Sequence, residues 1–239
     1  MTIQIKKEEF VTFIKKVMMT DKGAISECVF DFREDGLLVE AATPPQQAMV
    51  FAILKPSAFK EYSQIGQIGI GDLTDLKKKV DKFKEFVEIK VEGNLLTVSE
   101  NKKTFEIELS SIEYITNGSG LDNVKKLSSF VDNFMMTAKD LKDLRVNAQM
   151  IKDSKLHIET KEGAVLFSAK GKGAYKDELM SPSCKGGAKA SYGMPLFEAI
   201  ENLSDTVEIH IGNDYPLKII EKTDNSEVTI IVAPHVDKE

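Results

Sequence analysis

Tryptophan is missing from the 239 residues, cysteine occurs twice and histidine three times. Cys28 and Cys184 lie far apart, and neither belongs to a Cys-x-x-Cys pair. Disulfide-scaffold, zinc-site and thioredoxin-type readings therefore lack support, and both thiols are expected to be reduced and structural. His157, His210 and His235 stand singly, with no compact grouping of nucleophile, base and orienting acid around them. No apolar run approaches the roughly eighteen residues a bilayer span requires. The opening MTIQIKKEEF is basic without an apolar core behind it, so no secretory leader is expected and an intracellular protein is. Phosphate-cradling loops are lacking as well: GKGAYKD at 171–177 has no Walker-type pattern, and no glycine-rich phrase joins a strand to a helix. No pair of carboxylates stands out from the many surface acids. The expectation is a protein that is not an enzyme, with no cofactor and no metal. An excess of positive charge is absent too, since the formal net charge is -6. That argues against a surface coated for nucleic acid, although an acidic exterior and one basic inner face give the same sum.

What the chain does contain is a repeat. VEIKVEGNLLTVSE at 87–100 and VEIHIGNDYPLKIIE at 207–221 state one strand-turn-strand unit twice, offset by 207 minus 87. EDGLLVEA at 34–41 is echoed by KEGAVLFSA at 161–169. An offset near half the length implies two copies of one unit, each large enough for its own core. Strand-like runs dominate: 2–6, 27–32, 37–42, 49–54, 67–70, 87–91, 95–99 and 104–109 in the first half. In the second they are 130–136, strands through 156–180, and closing strands ending at 228–234. In 87–91, Val87, Ile89 and Val91 face one way and Glu88 and Lys90 the other, as in a half-buried antiparallel strand. Helical spacing replaces alternation at 8–19 (Phe10, Phe13, Ile14, Val17), at 72–84 (Leu73, Leu76, Val80, Phe83), at 138–149 and near 195–203. The polar, glycine-bearing stretch 110–129 reads as a linker, and SPSCKGGAKA at 181–190 as a small basic loop. The fold class is α+β: two repeated domains, each an antiparallel sheet with two helices.

At about 100° per residue, Lys78 and Lys82 fall opposite the apolar stripe of the second helix, with Lys77 and Lys79 on its flanks. Lys15 and Lys16 on the first helix and Lys139 and Lys142 on the third also point outward. The plain reading is solvated helix surface. The functional one is a phosphate track shared by repeated helices, which needs no base contacts. The fourth helix breaks the pattern with Glu198 and Glu201. Leu121, Val124 and Leu127 are apolar residues in a polar linker. Either they are ordinary linker packing, or the linker crosses a sheet and borders a groove with Met49, Tyr215, Pro216, Ile231 and Pro234.

The ending VTIIVAPHVDKE at 228–239, GNDYPLKI at 212–219, IGIGDLTDLKKKV at 68–80 and ECVFDFREDGLLVEAAT at 27–43, taken in their order along the chain, resemble DNA sliding clamps of the proliferating cell nuclear antigen family, in archaeal or virus-like form. The resemblance spans nearly the whole chain. It implies domains at 1–111 and 130–239 joined by a connecting linker at 112–129, and a ring, usually a homotrimer, around double-stranded DNA. Helices would line the hole, with Lys15, Lys16, Lys77, Lys78, Lys82, Lys139 and Lys142 at the DNA-facing positions. DNA polymerase and other client enzymes would insert a short motif into a pocket formed by Ala42, Gln46, Met49, Pro216, Ile231, Ala233 and Pro234, with Leu121 or Leu127 from the linker. Edge strands at 102–109 (Phe105, Ile107) and 174–180 (Tyr175, Leu179) would pair between subunits. The implied role is a processivity factor that works with the genome and is placed on DNA by a separate ATP-dependent loader. Two alternatives stay open: a subunit of a heterotrimeric or checkpoint-type clamp, and a β-rich interaction scaffold that never encircles DNA.

Overall fold

The structure is a computed structural model that describes residues 2–20, 23–115, 126–152, 155–193, 200, 202–203 and 205–235. The chain divides into two units. One holds Met1–Gln46, Val50–Ser119 and Lys222–Val228, and the other holds Gln47–Met49, Gly120–Glu221 and Thr229–Glu239.

In the first unit, strand β1 (Ile3–Lys6) runs directly into helix α1 (Lys7–Met18). Strands β2 (Cys28–Arg33), β3 (Gly36–Ala42), β4 (Ala48–Leu54), β5 (Phe59–Glu61) and β6 (Gly66–Ile70) follow, then helix α2 (Leu73–Val80). Strands β7 (Phe86–Glu92), β8 (Leu95–Glu100) and β9 (Lys103–Glu108) close the series. An antiparallel sheet has the order β5-β1-β7-β8-β9, and β4, β3, β2 and β6 lie side by side in a second. Helix α1 carries Glu8 and Glu9 in its first turn and Lys15 and Lys16 in its last, a charge order that complements the helix dipole. Its buried Phe10 packs edge-on against Phe30, which packs edge-on against Phe32, with centroids 6.2 and 6.4 Å apart. Each such ring taken from water contributes about 2–3 kcal/mol.

Helix α2 starts where the Asp72 carboxylate accepts the Asp75 N–H at 2.8 Å, and it stops at Val80 rather than running on to 84. The spacing of Leu73, Leu76, Val80 and Phe83 continues past the helix because Phe83 reaches the core from a turn. There it meets Phe105 with a centroid separation of 5.7 Å. The amides of Lys84, Glu85 and Phe86 are taken by the Glu100 carboxylate at 2.8, 2.7 and 3.1 Å and so cannot serve a helix.

In the second unit, β10 (Asp132–Thr137) leads into helix α3 (Ala138–Met150). Thr137 caps that helix: its hydroxyl accepts the Asp140 N–H at 3.1 Å and donates to the Asp140 carboxylate at 2.6 Å. Strands β11 (Lys155–Lys170), β12 (Ala174–Lys185) and β13 (Lys189–Gly193) form a sheet of order β12-β11-β13. Strands β14 (Thr206–Ile211), β15 (Leu217–Lys222) and β16 (Ser226–Val232) continue beside β10 in the order β10-β14-β15-β16. Within β11, residues 155–159 pair with β13 and 162–170 with β12, and the register with β12 shifts at Gly163, where φ is 76°. The loop expected at 181–190 shrinks to 186–188. Ser181 and Cys184 are buried, and the buried Asp132 carboxylate accepts the N–H groups of Lys185 and Gly186, the latter at 2.9 Å. The largest buried rings here are Tyr192 and the edge-on pair Phe134 and Phe167. The helix expected near 195–203, with Glu198 and Glu201, falls outside the described residues except at 200, 202 and 203. So do 116–125 of the linker, with Leu121 and Val124.

Candidate functional site

The lysines separate into those a ligand can reach and those it cannot. On α1, Lys15 is half-buried and Lys16 retains 3% of its surface, so the outward orientation expected for Lys16 is wrong. The segment after the helix folds back over its end, with the Ala24 and Ile25 N–H groups donating to the Met18 carbonyl at 3.0 and 3.3 Å. More of α1 is buried than one apolar stripe, Lys16 and Met18 included. On α2, Lys77 pairs with Asp81 at 3.3 Å and Lys79 with Asp75 at 2.7 Å, which lowers the charge either offers to a ligand. Lys78 and Lys82 are exposed and enter no ion pair among the described residues. Lys82 stands in the turn beyond the helix, not on it. In the second unit, α3 exposes Lys139 and half-buries Lys142.

Sequence reasoning passed over Lys84 and Lys102. The tip of the β8–β9 hairpin is fastened to the turn after α2 by the Glu100 carboxylate and by Lys103, whose Nζ donates to the Lys82 carbonyl at 2.8 Å. Lys82, Lys84 and Lys102 are exposed on the two segments so joined. Each lysine is visible in the chain, but their meeting depends on the hairpin folding back.

The expected pocket residues are divided between the units. In the first, Ala42 is buried at the end of β3, and Gln46 is exposed in a turn with φ 54°. In the second, Met49 and Ile231 keep 9% and 7% of their surface, and Ala233, Pro234, Pro216 and Leu127 are half-buried. The Ala233 N–H donates to the Gln47 carbonyl at 2.8 Å, which aligns the end of β16 with the start of β4. The 212–216 turn is an anchorage. The Phe130 ring stands edge-on to Tyr215 at 5.2 Å and to His210 at 5.6 Å, and the Tyr192 hydroxyl donates to the Tyr215 carbonyl at 2.8 Å. Burial pushes the Tyr192 hydroxyl pKa up, so it stays a donor. Burial also lowers the His210 pKa, against the pull of Glu208 2.9 Å away. Phe130 went unnoticed in the sequence because it reads as the first residue of a strand.

Strand β9 ends one sheet and β12 another. Phe105 packs on Phe83, and Ile107 keeps 8% of its surface, so both side chains turn into their own unit and what they bring to the edge is backbone. Tyr175 accepts from the Asn147 amide of α3 at 3.3 Å and donates to Asp177 at 2.8 Å. Leu179 is half-buried, and Met180, which sequence reasoning did not single out, is 73% exposed. Among the described residues, no group of three or more His, Cys, Asp or Glu could hold a metal ion.

No protein-family model matches the chain. Curated relatives do. A DNA polymerase sliding clamp of Nanoarchaeum equitans is 28% identical over 248 residues, covering 94% of this chain and 96% of the relative. One of Methanococcoides burtonii is 24% identical over 259 residues, covering 95% and 96%. Among solved structures, the proliferating cell nuclear antigen (PCNA) of A. fulgidus, determined with the C-terminal region of FEN-1 bound, superposes with a TM-score of 0.85 at 20% identity, covering 100% of this chain and 99% of that one.

Proposed function

From the premise that this chain is a DNA sliding clamp of the PCNA family, we propose that it is a processivity factor, a ring that encircles duplex DNA and tethers replication and repair enzymes to it. The observation that carries the reading is likeness to named clamps along essentially the entire chain, both units included. In this reading residues 1–111 and 130–239 are the two clamp domains and 112–129 the linker. The protein works by topology and effective concentration, not chemistry: an enzyme that releases its template stays beside it. It is not an enzyme, it acts where the genome is, and a separate ATP-driven loader opens it.

Lys78 and Lys82 head the DNA-facing set, because both are exposed and enter no ion pair among the described residues. Lys139, also exposed, and the half-buried Lys15, Lys77 and Lys142 complete the set, and Lys16 drops out because it is buried. Contacts of this kind read phosphate without sequence preference, which is compatible with a net charge of -6. Client enzymes dock through a short motif at Ala42, Gln46, Met49, Pro216, Ile231, Ala233 and Pro234 with a linker leucine, and subunits join through the edges of β9 and β12.

The test is electron microscopy of the purified chain, followed by retention on DNA. Rings that stay on a nicked circle and run off when it is linearised are expected. Particles without a central hole would sink the proposal. Changing Lys78 and Lys82 together to alanine should weaken retention while leaving the rings intact.

A further inference from the structure

In the second unit, the outward face of the sheet β12-β11-β13 holds a cavity of about 400 Å³ that involves neither the DNA-facing lysines nor the client pocket. Strand alternation shows what lines it. Leu156, Ile158, Val165 and Phe167 of β11 are buried, so their neighbours His157, Glu159, Leu166 and Ser168 turn to the other face. Residues opposed across paired strands share a face. Ser191 stands opposite His157, Lys189 opposite Glu159 and Lys176 opposite Ser168. Lys161 of β11 completes the wall.

The charge on this face is one-sided. The ammonium groups of Lys161, Lys176 and Lys189 have no ion pair or hydrogen bond among the described residues. Asp177 also borders the cavity, but it is opposed to the inward-facing Phe167, and its carboxylate accepts the Tyr175 hydroxyl and the Glu178 N–H, each at 2.8 Å. Glu178 itself, opposite Leu166, lies outside the lining. Glu159 is then the one outward carboxylate of the lining, set against three cations. Further donors stand beside them. The His157 Nδ1 lies 2.6 Å from the Ser191 Oγ, which fixes the imidazole and leaves Nε2 without a partner among the described residues. The Ser168 hydroxyl is a second neutral donor, and Leu166 supplies an apolar wall.

We infer that this cavity is a binding site for an organic polyphosphate of nucleotide size, whose phosphoryl oxygens are held by Lys161, Lys176 and Lys189. Its volume falls within the range of small-molecule sites and is several times that of one phosphate group. Lysines bind phosphate as point charges, and Lys176 and Lys189 stand on the strands at the two sides of β11. A chain of phosphoryl groups therefore engages both better than a single one does. With one carboxylate and few other acceptors in the lining, recognition falls on the phosphate chain and not on a base. Glu159, directly opposite Lys189, opposes the ligand and limits its affinity. The cavity is complete within one unit of one chain and does not depend on the ring.

Equilibrium dialysis of the full chain against ATP, inorganic pyrophosphate and adenosine tests this. ATP and pyrophosphate should bind, more weakly as salt rises, and adenosine should not. Lys161→Ala and Lys189→Ala should each weaken that binding by roughly tenfold. Glu159→Gln should tighten it severalfold, a gain that loss of structure cannot imitate. Changing Lys78 and Lys82 together to alanine should leave it unaltered, which separates the cavity from the DNA-facing lysines. None of the substituted residues lies on β9 or β12, so a cavity that fails to bind and a ring that fails to form are independent results. No binding of ATP or pyrophosphate at millimolar concentration would overturn the site. So would equal binding of adenosine, or binding that survives the combined Lys161 and Lys189 substitutions.

Discussion

The β7–β8 hairpin of the first unit and the β14–β15 hairpin of the second are copies of one phrase that the fold treats differently. Both end in a glutamate that holds the connection before the first strand. Glu100 accepts three N–H groups from residues 84–86, and Glu221 accepts that of Asp205 at 3.2 Å. Their turns diverge. A methyl group at Gly93 would meet nothing within 4 Å, whereas one at Gly212 would lie 2.6 Å from the Ser129 carbonyl. The longer second turn carries Tyr215 and anchors the chain entering β10, while the first stays open. The other echo reverses the roles: a methyl group at Gly36 would lie 2.3 Å from the Leu54 carbonyl, and one at Gly163 would meet nothing. Duplication kept the hairpin and its latch, and tertiary packing decided which copy became crowded.

The largest effect should separate Gly36 from Gly163. Gly36→Ala adds a backbone collision to a φ of 133° and should cost roughly 3 kcal/mol in urea unfolding. Gly163→Ala meets strain without collision and should cost about 1 kcal/mol. Equal losses would mean that φ alone governs both sites. Next, Gly212→Ala should destabilise by about 2 kcal/mol and loosen the 129–131 segment, seen as faster amide exchange at Val131. Gly93→Ala should stay near or below about 1 kcal/mol.

A smaller difference is expected in acid. The N–H groups of Glu85 and Lys84 hold the Glu100 carboxyl below its ordinary pKa. Its contribution is therefore present above the unfolded carboxylate value and lost as pH falls through the lower folded one. Glu100→Gln should flatten that part of the stability profile, and an unchanged acid limb would show that the latch is not used. The smallest effect concerns His210, whose pKa is lowered first by burial and then by Lys218, with Glu208 opposing. The neutral ring is favoured in the fold, so stability from this site is present above the ordinary histidine value and lost as pH drops through the depressed one. His210→Gln should remove that slope below the ordinary histidine range, and a parent profile already flat there would refute the assignment.

Local patterns determined much of this protein. Strand alternation at 87–91, the paired hairpins, the positions of α1 and α3 and the α+β class follow from side-chain periodicity, which depends on near neighbours and can be read from them. Tertiary structure alone decided that Lys16 is buried, that α2 ends at Val80, that 181–185 is strand instead of loop, and that Phe105 and Ile107 face inward. Each of these turns on what arrives from elsewhere: the return of Ala24 and Ile25 to the end of α1, the Glu100 carboxylate at the turn after α2, and Asp132 beneath Gly186. Burial and hydrogen-bond satisfaction are properties of the partner as much as of the residue, and a partner tens of residues away leaves no mark on local spacing.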